Sequence, residues 1–310
     1  EYLHIPTPLY YLVLSLSYLL IFPQAICYGV LQGWQLFGWF AFVGAFGTLI
    51  KLFAGAGAAW AGLGVAGVLG ALFLSYLIPY LLSLRPIFRL GSRNDLTKER
   101  FDWRSPLVYS LPVFLTMLGL TLFMTTDMII VKRFFPPYEA GIYSALSLLG
   151  KTVLWISTSI VQVMFALVAE KKAANKDDSG YFLASLFLVG FFCVLVSTVF
   201  SIFPSQVVRL SFGPRYLDAG SYLAFYCLFI TLYSLINVFA NYFLSCGKTV
   251  AASLVLVGAL IQLGMLGIFH RSFVEVISVS SLVCLVLLVV MIGAYLFSER
   301  MHRVYPLGQT

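Results

Sequence analysis

Nine runs of about twenty residues, each apolar enough to leave water for lipid, divide this 310-residue chain. A bilayer's hydrocarbon layer is about 30 Å thick and an α-helix rises about 1.5 Å per residue, so each run makes one helical crossing. The spans read as 9–31, 36–54, 62–84, 106–131, 139–168, 181–203, 218–245, 250–269 and 273–297. Turn residues stand between them: Gly33, Gly247, the cluster from Gly55 to Gly64, Pro136-Pro137, Pro204 and Gly213-Pro214. Short alternating segments, the mark of a membrane barrel, are missing. The expected fold class is therefore all-α, a polytopic transmembrane helical bundle.

Composition closes the other routes. The chain is 61% apolar and 10% charged, with a mean hydropathy of +0.97. Soluble domains carry about a quarter charged residues, so an ordinary soluble enzyme is excluded. The net charge of +7 is not a basic stripe interleaved with stacking aromatics, so no nucleic-acid partner is expected. The five cysteines (Cys27, Cys193, Cys227, Cys246, Cys284) sit inside apolar runs without CxxC spacing and read as small apolar fillers. No basic segment or small-residue cleavage site precedes the first run, so no signal peptide is expected.

Basic residues orient the spans. Arg85, Arg89, Arg93, Lys98, Arg100, Arg104, Lys171, Lys172, Lys176, Lys248, Arg300 and Arg303 fall on one side; Lys132, Arg133, Arg209, Arg215 and Arg271 fall on the other. The richer side should be cytoplasmic, which puts the C-terminus inside and residue 1 outside.

Set against itself at an offset of 214, the chain shows fifteen identities over residues 2–82 without a gap, among them Tyr28/Tyr242, Gly33/Gly247 and Val43-Gly44-Ala45/Val257-Gly258-Ala259. Helices one to three then correspond to helices seven to nine. Three further helices would precede Glu1 in a twelve-helix protein of two parallel six-helix halves, a transporter architecture whose substrate site lies near the midplane between the halves. The expected organisation is 1–84, the last three helices of an N-terminal bundle; 85–104, a basic cytoplasmic linker; 105–299, a six-helix bundle; and 300–310, a cytoplasmic tail.

Charges inside spans mark candidate function, because each costs at least ~3 kcal/mol at mid-membrane on insertion scales. Asp127 lies near the outer end of 106–131 and reads either as a pathway residue or as half of a structural ion pair. Lys151 is near the middle of 139–168, on one face with Trp155, Ser159 and Gln162, a polar stripe that should meet a hydrated cavity. The two charges are offset by ~9 Å along antiparallel helices, so a direct pair needs stretched side chains or a kink. Lys51 reads as close to the outer end of 36–54, where snorkelling competes with function. Asn237 and Asn241 continue to Ser245 along one face and read as pathway residues or as interhelical hydrogen-bond partners. Pro23 and Pro112 inside spans suggest kinks. No metal-ligand cluster, P-loop or large outer loop is present, so neither a cofactor nor an enzymatic activity is expected.

The stretch around Asp127, "TTDMIIVKRFFPPYEAGIYSALSLLGK", resembles the start of the C-terminal half of the polysaccharide (O-antigen/oligosaccharide) flippases, the polysaccharide transporter branch of the multidrug/oligosaccharidyl-lipid/polysaccharide exporter superfamily. Their seventh helix carries an Asp, followed by an outer turn and Gly-x-Tyr; here these are Asp127, Gly141 and Tyr143. The likeness resumes at "LSFGPRYLDAG" (Phe212, Gly213, Tyr216) and at the Gly247-Lys248 turn, and "GVLQGWQLFGWFAFVGAFGTLIK" is similar to the family's helices four and five. The resemblance implies a flippase that moves undecaprenyl-pyrophosphate-linked glycan across the bacterial inner membrane by alternating access, with membrane lipids around it and a coupling ion, H+ or Na+. A diphosphate crossing a low-dielectric region needs cations in a wet cavity, a role that fits Lys151, Lys51 and Arg133, with Asp127 binding the coupling cation or balancing the lysines.

Two other transporters compete. A multidrug or cation antiporter of the same superfamily would want acidic cavity residues, and only Asp127 lies well inside a span. A major-facilitator transporter would carry a G-x-x-x-D-[RK]-x-G-[RK] loop, which "EKKAANKDDSG" does not supply.

Overall fold

The computed structural model describes residues 8–91, 104–174 and 176–304. Among them all regular structure is helical. The chain divides into two compact units, Glu1–Arg100 and Phe101–Thr310. The first holds α1 (Pro8–Gly33), α2 (Phe37–Trp60) and α3 (Gly64–Gly91). The second holds α4 (Arg104–Phe134), α5 (Pro137–Ala173), α6 (Ser179–Ile202), α7 (Pro204–Phe212), a 3-10 turn (Pro214–Ala219), α8 (Gly220–Ser245), α9 (Thr249–Ile268) and α10 (Phe273–Val304). All except the short α7 are long and apolar enough to cross a membrane, nine candidate spans among the described residues. Each expected span finds its helix.

The helices overrun their expected ends, and the reason is the solvent. A chain in hydrocarbon cannot leave backbone N–H and C=O groups unpaired, so the helix continues past residues that would end it in water. The segment from Gly55 to Trp60, expected to turn, is the last part of α2; the left-handed stops come only at Gly62 (φ 71°) and Gly64 (φ 59°). In the same way α3 runs through Pro79 and Pro86 to Gly91, so the first seven residues of the expected linker are helical. Residues 92–103 of that linker, with Arg93, Lys98 and Arg100, lie outside the described residues, as do residues 305–310 of the expected tail, and its last residue, Arg104, opens α4. Neither Pro23 nor Pro112 interrupts its helix. Thr116 Oγ1 donates to the Pro112 carbonyl at 2.8 Å, and the same backward bond recurs at Ser17, Thr48, Thr121 and Thr126, which pairs hydroxyls that lipid would leave bare.

The triples α1–α3 and α8–α10 share element order, and in both the third helix packs on the other two. Their turns are not in phase. Gly247 takes the left-handed conformation (φ 72°), whereas its counterpart Gly33 is still helical and the left-handed residue is Gln35 (φ 56°). The first helix of the first triple simply runs two residues further, so the positive φ falls on a residue for which it is strained.

Packing in the second unit centres on α8, the most buried span, which carries Leu223, Tyr226, Phe229, Ile230 and Tyr233 against α5, α6, α9 and α10. Lipid tails are as apolar as leucine, so helix association here rests on close fit, and small residues provide it. A Cβ on Gly119 of α4 would lie 2.6 Å from the Leu256 nitrogen of α9. One on Gly258 of α9 would lie 2.9 Å from Leu287 of α10 and 3.2 Å from Phe123 of α4. Gly264, on the same helix, faces open space. Gly119→Val should therefore destabilise the second unit by about 1–3 kcal/mol or more, while Gly264→Ala leaves it unchanged or slightly more stable. Thermal unfolding of the two purified variants in detergent measures the difference.

Candidate functional site

Asp127 is fully buried, seven residues from the end of α4. Its Oδ2 accepts hydrogen bonds from Tyr143 Oη of α5 at 2.8 Å and from Tyr226 Oη of α8 at 3.0 Å, and its Oδ1 accepts from the Met128 N–H at 2.7 Å. Tyr226 Oη also shares a hydrogen bond with Ser147 Oγ at 3.1 Å. The two tyrosine rings meet edge to face, with centroids 5.8 Å apart. Gly150 lets Tyr226 reach this position, since a Cβ there would stand 2.4 Å from its ring. The carboxyl thus ties three helices together and accepts from three donors.

An aromatic layer separates this knot from the Pro136 end of the unit. Phe273 packs on Tyr143 (5.4 Å), Tyr222 (5.4 Å) and Phe135 (5.2 Å). Above it lies a cavity of about 510 Å³, rimmed by Glu139, Asp218 and Arg271. The side of Asp127 that faces this end is therefore ring carbon.

Lys151 follows Gly150, about 100° further round α5. It is half-buried and makes no hydrogen bond, and no ion pair within 4 Å, with another described residue, whereas Lys172 and Asp178 form an ion pair at 3.6 Å. A direct Asp127–Lys151 pair within 4 Å does not form: tyrosines hold the carboxyl, and the ammonium acts on it only through its charge at longer range. Counted from Pro137, Lys151 lies ~21 Å along α5. Trp155 and Ser159 on the same stripe are exposed and Gln162 is half-buried, so the stripe lies outside the core of its own unit. The core face of α5 carries Tyr143, Ser147, Gly150 and Val153 instead.

Lys51 is deeper than the sequence reading put it. Because α2 continues to Trp60, Lys51 has nine residues beyond it, ~13 Å, and cannot reach the interface easily. It is exposed, and it lines a cavity of about 480 Å³ inside the first unit with Gln24, Tyr28, Thr48, Ser75 and Tyr76. Arg133 sits in the last turn of α4, exposed, with its guanidinium 5.7 Å from the Phe134 ring centroid. Asn241 Nδ2 donates to both the backbone and side-chain oxygens of Asn237 at 2.9 Å, so the two asparagines serve each other along α8. The eight residues therefore fall into separate places: Asp127 in the knot, Lys151, Ser159 and Gln162 on the α5 stripe, Lys51 in the first unit's cavity, Arg133 at a helix end and the asparagines on α8.

Sequence reasoning missed Tyr226 as a partner of Asp127 and Ser147 as a partner of Tyr226, and Gln24, Tyr28 and Tyr76 around Lys51. Tyr and Gln are common at membrane-helix surfaces, so only the Gln24/Tyr28 spacing of one turn offered a signal.

The model of the family described as polysaccharide biosynthesis protein matches residues 4–170, which include α1–α4 and most of α5. The chain belongs to that family. It is a multi-pass membrane protein, with nine described helices long and apolar enough to cross a membrane. A solved structure described as the outward-facing conformation of a multidrug resistance MATE family transporter of the MOP superfamily aligns with a TM-score of 0.78 over 96% of this chain and 70% of that one, at 15% identity. At that identity the likeness shows the fold. A comparison with curated proteins finds no match.

Removing either phenol should leave the buried carboxyl one donor short. Tyr143→Phe and Tyr226→Phe are each expected to cost about 1.5–3 kcal/mol, as hydrogen bonds to charged groups do. Thermal unfolding in detergent checks this, and a double-mutant cycle with Asp127→Asn should return a coupling above ~0.5 kcal/mol.

Proposed function

We propose that this polysaccharide-family transporter is a flippase for lipid-linked glycan, carrying a prenyl-diphosphate-linked oligosaccharide such as the undecaprenyl-pyrophosphate form across a bacterial inner membrane by alternating access. Lys151 is the observation that carries the reading. An ammonium at mid-helix, without a hydrogen bond or ion pair to a described residue, is tolerated only where water or an anion meets it, because lipid exposure costs at least ~3 kcal/mol. A diphosphate is the anion that a glycan-exporting family would bring, and an ammonium with three free donors is a fitting point contact for it. Lys51 offers a second cation, within the cavity of the first unit. Arg133, at its helix end, would meet the diphosphate only near the membrane face.

Asp127 enters this reading as a positioning residue. Walled in by rings and held by two phenols, it keeps α4, α5 and α8 moving as one body while α5 presents Lys151. A coupling ion, H+ or Na+, would have to open the Phe273 layer to reach it. The excess of Arg and Lys at the ends of α3, α5 and α10 supports an orientation with those ends, and the C-terminus, in the cytoplasm. A drug-antiporter reading has the MATE-like fold behind it, but cationic drugs would be repelled by Lys151 and Lys51.

Lys151→Ala in the full-length protein should cut surface glycan at least tenfold while insertion into the membrane is unchanged, and Lys151→Arg should retain part of it. Glycan analysis with a membrane-fraction immunoblot reads both, and normal export in the alanine variant would overturn the assignment. Cysteines introduced as Ser159→Cys and Gln162→Cys, in a background where Cys246 is replaced, should react with a membrane-impermeant maleimide from at least one side. Complete protection of both would remove the wet stripe.

A further inference from the structure

The cavity inside the first unit has a chemistry of its own. Its volume of about 480 Å³ falls within the range of small-molecule pockets, about 300–1,000 Å³. Three otherwise apolar helices each turn polar side chains toward it: Gln24 and Tyr28 from α1, Thr48 and Lys51 from α2, Ser75 and Tyr76 from α3. Gly44 leaves room in one wall beside the Tyr28 hydroxyl, and Gly47 lets α2 and α3 close tightly, since a Cβ there would meet the Pro79 ring at 2.9 Å.

The hydrogen-bond inventory tells what would fit. Gln24, only 8% exposed, donates from Nε2 to Tyr28 Oη at 3.0 Å, which aligns the phenol and leaves its proton for a ligand. Phe40 fixes the same ring edge-on at 5.4 Å. Thr48 and Ser75 spend their protons on the Gly44 and Leu72 carbonyls, at 3.0 and 2.7 Å, so both hydroxyls can offer only acceptors. Lys51 supplies the positive charge. One cation beside several acceptors and a phenol donor suits a group that is anionic at one end and hydroxylated at the other.

We propose that this cavity is a sugar-phosphate subsite, with Lys51 and the Tyr28 hydroxyl taking phosphate oxygens and Gln24, Thr48, Ser75 and Tyr76 taking hydroxyls of the adjoining sugar. The assignment rests on the lipid-linked glycan reading above and names the part of the cargo that the first unit recognises. The same phosphate chemistry could come from a phospholipid headgroup, and the two sources differ in the sugar.

Calorimetric titration of the purified full-length protein in an uncharged detergent tests it, with glucose 1-phosphate, inorganic phosphate and glucose as separate probes. Glucose 1-phosphate should bind at least tenfold tighter than either part. Lys51→Met should weaken it at least tenfold, Gln24→Leu and Thr48→Val should weaken it severalfold, and Lys132→Ala, exposed in the last turn of α4, should leave it unchanged. No saturable binding, binding that Lys51→Met does not alter, or full displacement by phosphatidylglycerol would each overturn the subsite. If Lys51→Met does not purify as a folded protein, unaltered binding in both Gln24→Leu and Thr48→Val overturns it equally. Failure here is separable from failure of the flippase reading: export lost in Lys151→Ala with no sugar-phosphate binding would remove the subsite and leave the transporter assignment standing.

Discussion

Hydrocarbon supplies no partner to a polar group, and nearly every feature of this protein follows from where its polar groups find one instead. Backbone amides pair within helices, so the helices run through prolines and glycines that would end them in water. Serine and threonine hydroxyls bond back to their own helices. The carboxyl of Asp127 takes two tyrosines and a backbone N–H. What remains unpaired is then informative: among the described residues it includes the ammonium of Lys151 and the buried atoms Ser234 Oγ, Gln262 Oε1 and Ser281 Oγ.

The helix α5 shows how one element serves both needs. Its core face places Tyr143, Ser147 and Gly150 within one knot, with glycine chosen where the Tyr226 ring needs room. One residue later the backbone turns by about 100° and Lys151 leaves the core. The buried carboxyl and the unpaired ammonium are thus neighbours in sequence terms only through the helix that separates them.

The two units meet the same solvent constraint with different means. In the second, α8 is enclosed by four other spans and aromatic rings fill its core. In the first, three helices leave a polar cavity among them, and its lining groups are partly spent on each other.

The number and order of spans, the all-helical class and the family resemblance were legible in the sequence, because hydropathy sums over twenty residues and does not depend on neighbours. Helix ends were less legible: the Gly55–Trp60 segment looked like a turn by aqueous rules, and that misplacement moved Lys51 toward the interface. What only tertiary structure decided was pairing. Nothing along the chain says that a carboxyl at 127 will meet phenols at 143 and 226 and not the ammonium at 151, since that depends on which face each helix turns inward. Periodicity reports that a residue shares a face with its neighbours; only the packing of one helix on another decides what that face meets.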